Sequence, residues 1–323
     1  MKQLSFASVP LFFTTLLISS MGFSHDGAKK VEALDSDGIL KAFNWDLDKT
    51  EIKTQTIGKN FHVLFGSGGN IAVSIGSNGV LIVDDQFPKL VPKIEAAIEE
   101  LGGGKVDFAI NTHWHFDHAD GNLALGPAGT WLVSQANSRQ MMLDDHVINL
   151  VSVAYDQKAY PKEALPVITF DNKMQFHFND EQIDLLHVGP AHTTGDTAIL
   201  FRGNNAVHLG DVFNNAGYPF IDAGNGGTLN GLVEFCSKVL AEIKEDTVVI
   251  PGHGPVTDYA GLKNYIEMLS TIRDRMMVLI EQGASLEDVY AAKVTADWDK
   301  EMGDNVGFIN RSYMSLTHRV VDR

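Results

Sequence analysis

One α/β (α+β) domain is predicted, with two mixed β-sheets at its centre and helices outside. Three observations carry this. Short apolar runs bounded by Gly, Asn and Asp alternate with amphipathic stretches of helical period along most of the chain. No repeat, low-complexity block or linker divides it. The composition is that of a folded globule, 44% hydrophobic and 20% charged over 323 residues, enough for one large layered core.

Met1–Ser24 reads as a secretory signal. Lys2 is a short basic start, Val9 to Ser19 an apolar centre, and Gly22-Phe23-Ser24 a small-x-small cleavage site, with Ser20-Met21-Gly22 as a second choice. The apolar run is too short for a comfortable membrane span; an uncleaved anchor is the alternative. Residues 25–323 then form the single domain. Cys236 is the only cysteine, so no intrachain disulfide forms. Export without disulfides suits a bacterial periplasm, or secretion, better than a eukaryotic secretory path. The formal net charge of −16 disfavours nucleic acid or an anionic membrane as partner. A small-molecule substrate is expected instead, with no stable membrane association after cleavage. Oligomeric state is left open.

Residues 25–50 have little periodicity and form an arm. Strands follow at Ile52–Ile57, Phe61–Phe65, Ile71–Ile75 and Val80–Val83, separated by Gly- and Asn-rich turns. Pro88–Leu101 has helical period and stops at three glycines. Val106–Ile110 and Trp131–Ser134 are strands, Gln135–Leu150 a helix, and Val151–Pro166 a loop. Strands return at Val167–Phe170, Met174–Phe178, Ile183–His187, Ala198–Phe201 and Ala206–Leu209. The last two form a hairpin around Gly203-Asn204-Asn205. Leu229, Leu232, Val233, Cys236, Val239, Leu240 and Ile243 share one helix face, which makes Cys236 a small buried residue. Strand Thr247–Ile250 precedes a long helix, Asp258–Gln282, capped by Gly283. Ser285 and Asp288 start another helix, and a last one spans Asp304–Val320. The helical C-terminal extension is thus 258–320.

The chain is organised around Asn111-Thr112-His113-Trp114-His115-Phe116-Asp117-His118. Three histidines and an aspartate fall within six positions, after a buried strand. Imidazole and carboxylate are the usual ligands of zinc and related metals. Trp114 and Phe116 alternate with the histidines and are expected in the core. One such run holds too few ligands for two closed sites, so others must arrive from other strand ends. His192 in Gly-Pro-Ala-His-Thr-Thr-Gly-Asp, Asp211 in His-Leu-Gly-Asp and His253 in Pro-Gly-His-Gly each follow an apolar strand beside glycine, which permits the close approach a compact metal loop needs.

Together these motifs, over roughly Ile52 to Pro255, resemble the metallo-β-lactamase superfamily. The resemblance implies a four-layer αββα sandwich with the site at one edge of its sheets. It implies that His113, His115 and His192 bind one metal and that Asp117, His118 and His253 bind a second, with Asp211 bridging. It also implies that Asp84 orients a ligand loop from behind. Two Zn2+ per chain are expected, with iron or manganese as alternatives. Such a pair lowers the pKa of a shared water towards about 7. The resulting hydroxide would attack a carbonyl, with Asp117 and Asp211 orienting it. Family β-lactamases usually carry Cys or Ser where this chain has Asp211. The expected activity is therefore hydrolysis of a lactone, ester, thioester or cyclic amide, with periplasmic β-lactam hydrolysis as the alternative. A mononuclear-iron oxygenase or a non-hydrolytic metal-binding protein on the same fold is the reading from another class. Asn214, Tyr218 and Asn225, in the stretch Phe213–Thr228, are candidate substrate contacts.

Overall fold

The computed structural model describes Val31–Thr317; the segment read as a secretory signal and the end of the last predicted helix lie outside the described residues. Two large sheets dominate. Seven strands, in the order Ile168–Phe170, Trp131–Gln135, Val106–Ile110, Gly79–Val83, Ile71–Gly76, Phe61–Phe65, Lys53–Gly58, make the first. Six make the second, in the order Lys173–Phe178, Glu181–Leu186, Ala198–Phe201, Ala206–His208, Val248–Ile250, Thr257–Asp258.

Strand side chains alternate between faces, and that alternation sorts three cores. Phe61, Val63, Leu81, Val83 and Ile110 of the first sheet meet Ile183, Leu185, Ile199, Phe201 and Ile250 of the second. The Phe61 and Phe201 rings, 4.4 Å apart, bridge the two layers. The intervening residues Leu64, Val73, Val80 and Ile82 turn outward onto Ile94 and Ile98 of helix Val91–Glu100. Leu200, Val207 and Val249 turn outward onto helices Leu229–Glu242 and Tyr259–Glu281. The layers are therefore helix, sheet, sheet, helix, as expected. Cys236 is fully buried on the predicted helix face, and burial raises its thiol pKa.

Helix ends follow the local chemistry. Asp258 accepts from Gly261 N at 3.0 Å. At the other end Gly283, at φ +84°, lets Ala284 N reach Leu279 O and Gly283 N reach Ile280 O, a Schellman ending. Ser285 and Asp288 form the predicted capping box.

Three expectations need correction. The predicted arm contains a short strand, Ala33–Leu34, and a helix, Ser36–Ala42. The helix expected over Gln135–Leu150 stops early, at Met141. Asp144 and Asp145 oppose the helix dipole there, and the β-branched Val147 and Ile148 pair as strand His146–Asn149. Its partner, Ala154–Gln157, lies in the segment expected to be loop; Ala33–Leu34 completes this third sheet. Among the described residues the final helix runs Val306–Thr317, within the predicted bounds, and a separate turn of helix at Asp299–Met302 precedes it. No helix among the described residues is long and apolar enough to cross a membrane.

The inter-sheet core should dominate stability. We expect Phe201→Ala to cost about 3–5 kcal/mol and Ser285→Ala, which removes one cap, about 1 kcal/mol. Urea denaturation compares them; equal losses would contradict the layered core.

Candidate metal centre

Strands Gly79–Val83 and Val106–Ile110 run parallel, as do Ala206–His208 and Val248–Ile250. Glu181–Leu186 joins the second pair in direction through two antiparallel steps. All five therefore end at one edge, where their following residues form the site. The loops there are tied directly: Thr197 N donates to Thr112 O (2.8 Å), Asn70 N to Gly252 O (2.7 Å) and Gly252 N to Gly210 O (2.8 Å).

His113, His115, Asp117, His118, His192, Asp211 and His253 converge at this edge. Three overlapping groups could hold a metal ion: His113, His115, His192; His113, His118, Asp211; and Asp117, His118, His253. Donor atoms within each lie within 4.8 Å of one another. Trp114 and Phe116 are buried in the core beside them.

Four of the imidazoles are held by their outward nitrogens. His113 Nδ1 lies 2.9 Å from Thr112 Oγ1. His115 Nε2 donates to Asp222 Oδ2 at 3.0 Å. His192 Nδ1 donates to Phe220 O at 2.7 Å. His118 Nδ1 donates to Asp84 Oδ2 at 2.7 Å. A neutral imidazole that donates from one nitrogen presents a lone pair at the other, so in the neutral rings the inward nitrogens are free to bind a cation. His115 Nδ1 and His192 Nε2 face each other at 2.9 Å, and His118 Nε2 and His253 Nε2 at 3.1 Å. His113 Nε2 and Asp211 Oδ1 are buried without a hydrogen-bond partner, although His118 Nε2 lies only 3.1 Å from that oxygen. Opposed lone pairs and a buried carboxylate oxygen need positive charge between them. These side chains fit metal ions, and their outward bonds are the arrangement that orients metal-bound histidines.

The charges agree. Burial would lower His118, but Asp211, Asp117 and Asp84 outweigh it and hold its pKa well above the ordinary value. His253 is opposed by burial too, yet Asp211 and Asp117 push it up to about 10. Burial would raise Asp211; His253 and His118 hold it well below the carboxylate range. His113 is pushed well down, by burial and by His118, His192 and His115. The carboxylate-rich half of the site therefore draws in cations, while burial favours the neutral form of His113 and His192 on the other side.

Asp84 sits behind the ligand run, where the sequence placed it. Fully buried, it accepts from Thr112 N (2.7 Å), Thr112 Oγ1 (2.9 Å) and His118. Its backbone is left-handed, φ +64°, a strain of about 1–3 kcal/mol that those hydrogen bonds offset. Two glycines are required by space: a Cβ at Gly69 would strike the His118 ring, and one at Gly252 would strike Asp211 Oδ1. His208 and His187 stay outside. His208 donates to Asn70 O and accepts from Gly210 N; His187 Nδ1 bonds Asp196 O.

The three substrate candidates all have partners within the fold. Tyr218 spends its hydroxyl on Thr295 O (3.1 Å) and Asp299 Oδ1 (2.9 Å), with its ring stacked on Phe308; it fastens the C-terminal extension. Asn225 donates its amide to Val147 O and to both oxygens of Asp222, so it braces His115 from behind. Asn214 Oδ1 accepts from Ala216 N (2.8 Å) and shapes its own turn, which pairs with His253. Sequence reading missed Asp222 and Gln157. Gln157 grips both sides of His115, accepting from Phe116 N (3.0 Å) and donating to Trp114 O (2.8 Å). No local pattern marks Gln157. Asp222 had a weak signal, a carboxylate in the glycine-rich stretch after Asp211.

Residues 75–264 match the metallo-beta-lactamase superfamily. Among solved structures, the fold resembles a metallo-beta-lactamase from Pontibacter korlensis, with TM-score 0.55 and 15% identity over 68% of this chain and 99% of that one. DIM-1 metallo-beta-lactamase gives TM-score 0.55 and 16% identity over 69% and 99%. A variant of the sec-alkyl sulfatase PisA1 gives TM-score 0.64 and 9% identity over 84% of this chain and 51% of that one. With the sandwich, the edge site and the matched span in agreement, the chain belongs to the metallo-beta-lactamase superfamily.

Proposed function

We propose that the protein is a dinuclear, zinc-dependent hydrolase of a small carbonyl substrate, a lactone, ester, thioester or cyclic amide. The supporting observation is the paired donor set around Asp211, which lies within 3.1–3.7 Å of His118, His253 and His192 nitrogens. Three imidazoles gather on one side of it and Asp117, His118 and His253 on the other. A single-metal oxygenase would not need the second group. Bound there, two divalent ions supply a Lewis acid and make a water acidic enough to ionise near neutral pH.

The chain's own residues do the rest. Asp117 and Asp211 are held as carboxylates, so each can accept a hydrogen bond from the attacking water and fix its direction. Asp117 Oδ2, 3.2 Å from His253 Nε2, is placed to take the proton that water gives up. His115 and His192 keep their orientation through Asp222 and Phe220 O. Phe220, whose ring centroid is 5.8 Å from that of His192 and 6.0 Å from that of His115, gives that side of the site an apolar surface. No serine or cysteine nucleophile is required. The acidic ligand set, with Asp211 where β-lactamases of the family carry Cys or Ser, favours substrates smaller than a bicyclic β-lactam. Periplasmic export by the Met1–Ser24 segment belongs to the same proposal.

Two measurements test this. Steady-state kinetics on a panel of lactones, thioesters, phosphodiesters and β-lactams should find the best kcat/KM among lactones or esters. Asp211→Asn should stay folded and lose about 10–100-fold in activity or metal affinity, as changes around metal ligands do. β-Lactam turnover above about 10⁴ M⁻¹s⁻¹ would sink the substrate assignment.

The second is proton release. His253 rises from 6.5 to about 10 in the metal-free fold, so it carries a proton at pH 7–8. Its stabilisation of the metal-free fold is fully present below about pH 6.5 and fades as pH rises through about 10. Metal must displace that proton. Zinc titration calorimetry in buffers of different ionisation enthalpy should therefore show proton release at pH 7.5 and tighter binding at higher pH. A heat independent of buffer would contradict it.

A further inference from the structure

The loop that carries His253 has four consecutive carbonyls, those of Pro251, Gly252, His253 and Gly254. All four have donors, and three of them end on a single residue, Asn70. Asn70 Nδ2 donates to Pro251 O and to Gly254 O, both at 2.9 Å. Asn70 N donates to Gly252 O at 2.7 Å, and the remaining carbonyl, His253 O, accepts from Asn215 N at 2.9 Å. A carbonyl can only accept, so the orientation of the Asn70 amide is settled and both of its N–H groups are spent. Asn70 is buried. It stands just before strand Ile71–Gly76 of the first sheet, whereas the His253 loop follows Val248–Ile250 of the second.

The same residue is tied to the turn that carries Asp211. Asn70 O accepts from His208 Nε2 at 2.9 Å, and His208 Nδ1 accepts from Gly210 N at 3.1 Å, beside Asp211. One position earlier, Gly69 N donates to Asp117 O at 3.0 Å. Gly69 and Asn70 therefore fasten the segments that supply Asp117, His118, Asp211 and His253. The acceptors behind His115 and His192 are Asp222 and Phe220 O, which belong to a different loop. The two halves of the site stand on separate supports.

We propose that Asn70 is a positioning residue for the Asp117, His118, His253 group: it holds the His253 loop against the Asp211 turn, and its loss frees His253 while leaving the three-histidine group in place. The assignment of a second metal to that group rests on the reading above, but the fastening of the loop does not.

Hydrogen exchange of the metal-free full chain tests the fastening. In Asn70→Ala the amides of Gly252 and Asn215, which bond Gly210 O and His253 O, should exchange roughly 10-fold faster, as the loss of two hydrogen bonds implies. The amide of Asp222, which bonds His192 O, should keep its wild-type rate. Imidazole NMR during a zinc titration then reads each group through its own histidine. In Asn70→Ala the His253 midpoint should move to about 10-fold more zinc or beyond, with the His192 midpoint unchanged. Should Asn70→Ala not fold, Asn70→Ser, which keeps one donor on a shorter arm, carries the same comparison. Unchanged exchange at Gly252 and Asn215, an equal change at Asp222, or a His253 midpoint that moves no further than that of His192 overturns the proposal. If zinc moves neither histidine of the wild type, the metal reading falls and the exchange rates alone decide the role of Asn70.

Discussion

Everything at the edge of this sandwich depends on what holds the far side of each imidazole. Asp84 takes the outward N–H of His118, Asp222 that of His115, and Phe220 O that of His192. Those bonds fix ring orientation and tautomer together. Bare nitrogens must then face inward at 2.9 and 3.1 Å, an arrangement that only a shared cation or proton satisfies. The strained backbone at Asp84 and the glycines beside His118 and Asp211 are local consequences of packing so many donors into one corner.

The layered fold supplies the rigidity this needs. Five strands from two sheets end at the same edge, and the inter-sheet core of Phe61, Phe201, Ile110 and Ile250 lies directly beneath. His113, Asp211 and His253 each lie three positions past a strand end, so the sheets set their placement. The loop Phe213–Thr228 reaches further, and the C-terminal extension holds it through Tyr218.

Much of this was legible in the sequence because the informative features are local. Period-two alternation marked the strands, and the clustered histidines beside strand-end glycines marked the seven converging side chains. Asp84 was readable as an acid closing a strand. What the sequence hid arises from contacts between distant segments. Gln157 sits in a stretch without period and matters only because its strand crosses behind His115. Asp222 looked like one more polar loop residue, while its neighbours Tyr218 and Asn225 drew attention as substrate contacts. The short strand His146–Asn149 was misread as helix because its β-branched Val147 and Ile148 find their pairing partner in Ala154–Gln157, a stretch with no period of its own.

Anomalous diffraction at the zinc edge, on crystals grown from zinc-loaded protein, goes most directly to the metal reading. Two peaks are expected. One should lie about 2.0–2.2 Å from His113 Nε2, His115 Nδ1 and His192 Nε2. The other should lie as near Asp117, His118 Nε2 and His253 Nε2, with Asp211 between them. A single peak, or any peak bonded to His115 through Nε2, would contradict the orientation on which the site is built.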